Sequence, residues 1–312
     1  ANQRIDKYMK KLLVQAPTNF IYKMFRKKDI KINGKAVNEK YILQQNDVLQ
    51  MFLYEDKFLE FTKEKNILDL PQEFDVLYED DQILVVNKPV GLLVHEDYQE
   101  SINTLSNQVL TYLAAKGEYE TNRDQTFTPG PVHRLDRNTS GIVIFGKTMV
   151  ALQTLNEMIK QRYCIEKKYL TIVKGAMTSP RELEGYIKKV PAEARVTFVK
   201  KDAPGALSMR TKVFPIKNNQ EYSLVEVQLV TGRMHQIRIH LASIDHPIIG
   251  DTKYGDFTLN KKMKRKYHLQ HQLLHAYKIK FIRPIGKLAY LQDKEIVCPV
   301  SNQFKNLENK LL

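Results

Sequence analysis

Two cysteines in 312 residues, Cys164 and Cys298, are too few and too far apart for a disulfide framework, and they form no CxxC pair. That scarcity suits a reducing compartment, so the expected location is cytoplasmic. No run of 18 apolar residues occurs, so no membrane-spanning helix is expected and the membrane is not an expected partner. Residues 1–10 carry charges without an apolar stretch, which gives no sign of a secretory leader. Internal repeats and low-complexity tracts are missing as well. Acids are the last shortage: 35 Asp and Glu face 49 Lys and Arg, a net charge of +14. Such a surplus suits a polyanionic partner, nucleic acid first. What is present is enough apolar material to fill a core, 43% of the residues.

The charge is concentrated. Residues 1–40 hold eleven Lys and Arg against three acids, a net +8, which leaves +6 for the other 272 residues. Within this segment Ile5, Met9, Leu12 and Leu13 recur at helical spacing. Phe20, Ile21, Met24 and Phe25 mark a second helix, with Thr18 or Asn19 as its cap and Arg26-Lys27-Lys28 at its end. Ile30-Lys31-Ile32 reads as a strand that turns at Asn33-Gly34, and residues 48–53 give another. Residues 56–74 mix charges with scattered apolar positions and read as a linker. Beyond them, 83–86, 142–145, 169–173 and 223–230 read as strands. A helix follows Thr148, and another spans about 104–113. Strands outnumber helices and several adjoin directly, which predicts an α+β fold with a mixed, mainly antiparallel sheet.

Two stretches concentrate polar chemistry. HRLDRNTSG (133–141) runs straight into an apolar strand and places Asp136 between Arg134 and Arg137. Nearby positive charge favours an ionised carboxylate, which can serve as nucleophile or base. TGRMHQIRIHL (231–241) follows a strand and, read as extended, presents Arg233 and His235 on one face and Gln236, Arg238 and His240 on the other. Only one acid sits within these two stretches, whereas a glycoside hydrolase needs two working carboxylates.

Other patterns mislead. Residues 141–148 spell G-x-x-x-x-G-K-T, but the strand lies between the glycines instead of before them, so no nucleotide cofactor is expected. His268, His271 and His275 lack the accompanying Glu or Cys of a zinc site, so no metal is expected. A basic run at 261–266 reads equally well as a solvated loop or as an RNA contact.

With NKPVGLLVH (87–95), KKYLTIVKG (167–175), GDTKYG (250–255) and LLHA (273–276), the two polar stretches appear in one fixed order. Together they resemble the RluA-type pseudouridine synthases. RIDKYMKKLL and FIYKMFRKKDIKINGK near the start resemble an S4 domain. The likeness spans nearly the whole chain and points to the branch acting on large-subunit ribosomal RNA.

It implies a small N-terminal α/β S4-like domain over 1–55, the linker at 56–74, and a catalytic domain of the pseudouridine synthase type over 75–312. It implies that no cofactor is needed. Asp136 matches the catalytic aspartate, and Tyr169 the tyrosine that stacks on the target base and is implicated in late proton removal from C5. Arg233 matches the arginine paired with the carboxylate, and Arg134 one that enters the space left by a flipped nucleotide. Arg4, Arg26, Lys27, Lys28, Lys88, His235, Gln236 and Arg238 are the further expected RNA contacts. A non-catalytic RNA-binding protein is the competing expectation, and the set Asp136, Tyr169 and Arg233 argues against it. A monomer is expected by default.

Overall fold

A computed structural model describes residues 3–62, 70–97, 100–120, 127–190 and 195–312. The chain divides into two compact units, Ala1–Ile67 and Leu68–Leu312.

The N-terminal unit holds α1 (Ile5–Leu12), α2 (Thr18–Lys27), β1 (Ile30–Ile32), β2 (Lys35–Ala36), β3 (Leu49–Met51) and α3 (Glu55–Thr62). Its three strands form an antiparallel sheet in the order β2-β1-β3. Asn33 and Gly34, both at positive φ, make the tight β1–β2 turn that their sequence signals. Ile5, Met9, Ile21, Met24 and Phe25 bury the apolar stripes of the two helices against Ile30 and Ile32. Two expectations need correction. Pro17, not Thr18 or Asn19, precedes the first turn of α2, and Thr18 is already helical. The expected linker begins too early: residues 55–62 form α3, because Phe58 and Phe61 pack into this unit's core. Residues 63–69 of that linker lie outside the described residues.

The C-terminal unit runs β4 (Asp75–Glu79), β5 (Ile83–Lys88), α4 (Leu105–Ala115), β6 (Gly130–Pro131), β7 (Ser140–Gly146), α5 (Met149–Gln161), β8 (Ile165–Lys174), β9 (Arg181–Val190), β10 (Arg195–Phe198), β11 (Leu207–Asn218), β12 (Tyr222–Leu229), α6 (Gln236–Ala242), α7 (Phe257–Tyr267), β13 (Leu274–Phe281), β14 (Glu295–Val297) and α8 (Asn302–Leu311). Eleven strands form one sheet along β10-β9-β11-β12-β8-β13-β7-β5-β4, with β14 beside β13 and β6 beside β7. The β13–β7 pair is parallel and the other pairs are antiparallel. The fold is therefore α+β with a mixed, mainly antiparallel sheet.

Both faces of the sheet's centre are covered, which is why its strands read as unbroken apolar runs. Leu84, Val86, Val143 and Phe145 face one core. Ile83, Val85, Ile142 and Ile144 face another, which Ala151, Leu155 and Met158 of α5 close. Thr148 caps α5 by accepting from the Ala151 N–H, as expected.

The parallel β13–β7 contact fixes the site. It pairs Ala276 with Gly141, and the next pair over aligns Ala276 with Tyr169. Gly141 sits at φ +110°, and a Cβ there would lie 2.2 Å from the Ala276 carbonyl oxygen. No side chain fits, so the HRLD turn can approach β13 and β8 only through a glycine.

Candidate active site

Asp136 sits in the connection between β6 and β7, on a turn closed by the Thr139 N–H donating to the Asp136 carbonyl. Its side chain is 24% exposed and opens on a cleft of about 580 Å³. Among the described residues seven Lys and Arg line this cleft, including Arg134, Arg162, Lys167 and Lys189, and Asp136 is the one acid. Such a lining attracts a polyanion and leaves one carboxylate to act.

The partner of Asp136 is Arg238, not Arg233. Arg238 Nη1 donates to Asp136 Oδ2 at 2.8 Å. Its other side grips Asp251, from Nε to Oδ2 at 2.7 Å and from Nη2 to Oδ1 at 2.8 Å. Arg233 lines the same cleft, but its Nε donates to the Ser208 carbonyl at 3.2 Å. The correction follows from local structure. The 231–241 stretch is not extended: a turn through Gly232 leads into α6, where Ile237 and Leu241, four residues apart, face the core. That helical turn carries Arg238 inward. Flanked by Ile237 and Ile239, Arg238 is buried, and a buried arginine needs a carboxylate. The apolar flanks of Arg238 and the Asp251 of GDTKYG were the available signal.

Asp251 is 1% exposed. Burial alone would raise its pKa, but Arg238 and the backbone N–H groups of Lys253 and Tyr254 hold it below the ordinary range. It fixes two nitrogens of Arg238, so the third is aimed at Asp136.

Lys88 is also a correction, because it is closed inside the protein away from any RNA, whereas Gln236 lines the cleft with its amide engaged by the protein. Lys88 is fully buried, and its Nζ donates to the carbonyls of Pro89 at 2.7 Å, Leu92 at 2.8 Å and Arg137 at 3.0 Å. It therefore clamps the NKPVGL loop to the residue after Asp136. Burial pushes its pKa down to about 7, against the pull of Asp136. Gln236 is 2% exposed; its Oε1 accepts from the Thr231 hydroxyl and the Arg233 N–H, and its Nε2 donates to Thr211 and to the Arg210 carbonyl. It braces the turn that carries Arg233.

His235 lies beside the carboxylate, Nε2 to Asp136 Oδ2 at 3.8 Å, and its Nδ1 meets the Tyr254 hydroxyl at 3.0 Å. Burial lowers its pKa to about 4 even though Asp136 pulls the other way, so the ring is neutral at pH 7 and the contact is not an ion pair. His133 is likewise neutral: burial, helped by Lys167, lowers it to about 3, and its Nε2 accepts the Ile144 N–H. Burial also brings Lys167 down to about 8.

Tyr169, on β8, is 5% exposed and lines the cleft. Burial, then the charge of Asp136, raises its pKa, so the phenol stays protonated. Arg134 is exposed at the cleft. In the N-terminal unit Arg26, Lys27 and Lys28 are exposed, whereas Arg4 forks onto Asp6 at 3.1 and 2.9 Å.

The P-loop-like residues carry no phosphate cradle: 142–145 are buried strand, and Lys147 pairs with Glu79 and Glu118. His275 sits between the Ser140 hydroxyl and the Cys298 carbonyl. Among the described residues no group of three or more His, Cys, Asp or Glu could hold a metal ion.

A family model described as RNA pseudouridylate synthase matches residues 82–243. That span runs from β5 to the end of α6. A ribosomal large subunit pseudouridine synthase C of Buchnera aphidicola is 31% identical over 99% of this chain and 94% of its own length. A protein of the same name from Haemophilus ducreyi is 31% identical over 100% of this chain and 92% of its own. Among solved structures, human RNA pseudouridylate synthase domain containing 4 superposes with a TM-score of 0.58 and 26% identity, covering 76% of this chain and 92% of that one.

Proposed function

The chain is an enzyme of the RNA pseudouridylate synthase family, and from that premise we propose that it converts specific uridines of large-subunit ribosomal RNA to pseudouridine. One observation carries the reading: Asp136 is the one acid among the described residues of a basic cleft, held by Arg238 and within electrostatic reach of the buried Tyr169. The relatives named above supply the RNA class.

The reaction breaks the N1–C1′ bond, turns the uracil and joins C5 to C1′. A proton leaves C5 and N1 gains one, so substrate and product are isomers and no electrons are exchanged. An ionised carboxylate suffices as the reactive group, and we assign Asp136 to it, acting at the ribose. Arg238 Nη1 holds it in place at 2.8 Å. A base inside folded RNA must leave its stack to reach the cleft, and Tyr169 offers an aromatic face to receive it. Arg134, exposed at the cleft, is suited to fill the vacated space.

We assign the N-terminal unit the S4-like role of gripping RNA through Arg26, Lys27 and Lys28. The enzyme would work as a monomer in the cytoplasm without a nucleotide or other cofactor. No helix among the described residues is long and apolar enough to cross a membrane.

Asp136→Asn is the decisive variant. It should abolish pseudouridine formation while leaving affinity for ribosomal RNA within about twofold. Pseudouridine mapping of large-subunit RNA from cells with and without the gene supplies the target. Wild-type modification by the mutant sinks the catalytic assignment, and an unchanged map sinks the substrate.

A further inference from the structure

The basic run at 261–266 is neither a loop nor part of the cleft. It forms most of α7, whose inward stripe of Leu259, Met263 and Tyr267 packs with Phe304 and Leu307 of α8. Lys261, Lys262, Lys264, Arg265 and Lys266 are all exposed, and none lines the cleft. Among the described residues no carboxylate pairs with any of the five.

A helix does not gain from this arrangement by itself. Lys261 faces Lys264 and Arg265, and Lys262 faces Arg265 and Lys266, at the i+3 and i+4 spacings where like charges destabilise. The helix dipole explains cations in the last turn, Lys264 to Lys266, but not Lys261 or Lys262. Lys310 of α8 extends the positive surface, its Nζ 5.9 Å from the Tyr267 ring centre. A polyanion laid along α7 would turn these repulsions into attraction.

The helix is also tied to the site. Asn260, on its first turns, donates to the Asp251 carbonyl at 2.8 Å and accepts the Gly250 N–H at 2.7 Å. Asp251 is the carboxylate that orients Arg238 toward Asp136. Whatever α7 grips is therefore held in register with the catalytic carboxylate by a short hydrogen-bonded path.

We propose that the outer face of α7 is a second RNA-contact surface, which binds phosphates of the substrate outside the nucleotide that enters the cleft. This rests on the reading of the chain as an enzyme of ribosomal RNA. The surface reads no bases: its lysines are point charges, suited to position the RNA and not to choose its sequence.

The test uses the full chain with Lys262→Gln/Arg265→Gln/Lys266→Gln, against a long fragment of large-subunit RNA and a short stem–loop carrying one unmodified target uridine. Affinity is measured without turnover as a function of salt, and KM and kcat are measured separately. On the long fragment we expect a fivefold or greater rise in Kd and KM, an unchanged kcat and a salt slope shallower by about 2. The short stem–loop should show no change. Lys262→Arg/Lys266→Arg should keep wild-type affinity, which separates charge from folding. An unchanged Kd and slope on the long fragment overturns the proposal and leaves α7 to another partner. If wild-type enzyme modifies neither RNA, the substrate reading fails, while the affinity arm still decides the role of α7.

Discussion

Arg238 and Arg26 are the same residue type held in opposite ways. Arg238 lies on α6 of the C-terminal unit with its side chain 5% exposed and makes three hydrogen bonds to two carboxylates. Arg26 ends α2 of the N-terminal unit, exposed, beside Lys27 and Lys28, with no carboxylate partner among the described residues. The first spends its charge inside the protein and the second offers it outward. Lys88 belongs with the first kind, its ammonium closed among three carbonyls. Net charge, which counts all of these alike, therefore overstates what is available to RNA. In the C-terminal unit much of the positive charge at the motifs builds the site instead of gripping the substrate.

The sharpest way to break this comparison is to remove the two arginines whose expected roles the structure exchanges. Arg238→Gln leaves Asp251 buried without its charge partner and Asp136 without its guide. A lost buried pair of this kind costs about 3–5 kcal/mol, and turnover should be abolished. Arg233→Gln loses a single hydrogen bond to the Ser208 carbonyl and should cost less than about 1 kcal/mol. Thermal or urea unfolding of the two variants beside their turnover decides the matter. Equal destabilisation, or a greater loss in Arg233→Gln, would reverse the assignment of partners.

The opposite prediction holds for the exposed cluster. Arg26→Gln/Lys27→Gln/Lys28→Gln should leave stability within about 0.5 kcal/mol, as surface changes do. It should weaken RNA binding about tenfold and reduce the slope of log K against log[salt] by about 2–3 if all three meet phosphates. Stability loss with an unchanged slope would move these residues into the structural class.

Much of the fold was legible because its signals are local. The Asn33-Gly34 turn, the Thr148 cap and the apolar runs at 83–86 and 142–145 each depend on residues within one element. The order of motifs placed Asp136 and Tyr169 on one cleft. What failed was long-range. Arg238 meets Asp136 across 102 positions and Lys88 meets Arg137 across 49, and no periodicity encodes such pairings. The 231–241 stretch misled because Arg233, His235, Ile237 and Ile239 fit a period of two as well as Ile237 and Leu241 fit a turn of helix. The linker misread α3 because only Phe58 and Phe61 anchor it.

At neutral pH the smallest effect falls on His235, which touches the carboxylate yet carries no charge at pH 7. Its folded pKa, about 4, lies below the ordinary 6.5 because burial disfavours the cation. The unfolded chain therefore binds a proton that the folded chain refuses between these values. Stability from this residue is complete above pH 6.5 and is lost as pH falls toward 4, on the order of 2 kcal/mol or less. His235 also sits at φ 53°, a conformation that asparagine tolerates, so His235→Asn removes the titration without straining the turn. The variant should lose less stability than wild type between pH 6.5 and 4.5 in urea unfolding. Its turnover should follow the wild-type pH profile between pH 6 and 8, because a ring already neutral there has no proton to give up. A wild-type limb near pH 6.5 that vanishes in His235→Asn would show instead that the ring is charged when it meets Asp136. His235 would then join Arg238 as a second cation spent on the carboxylate.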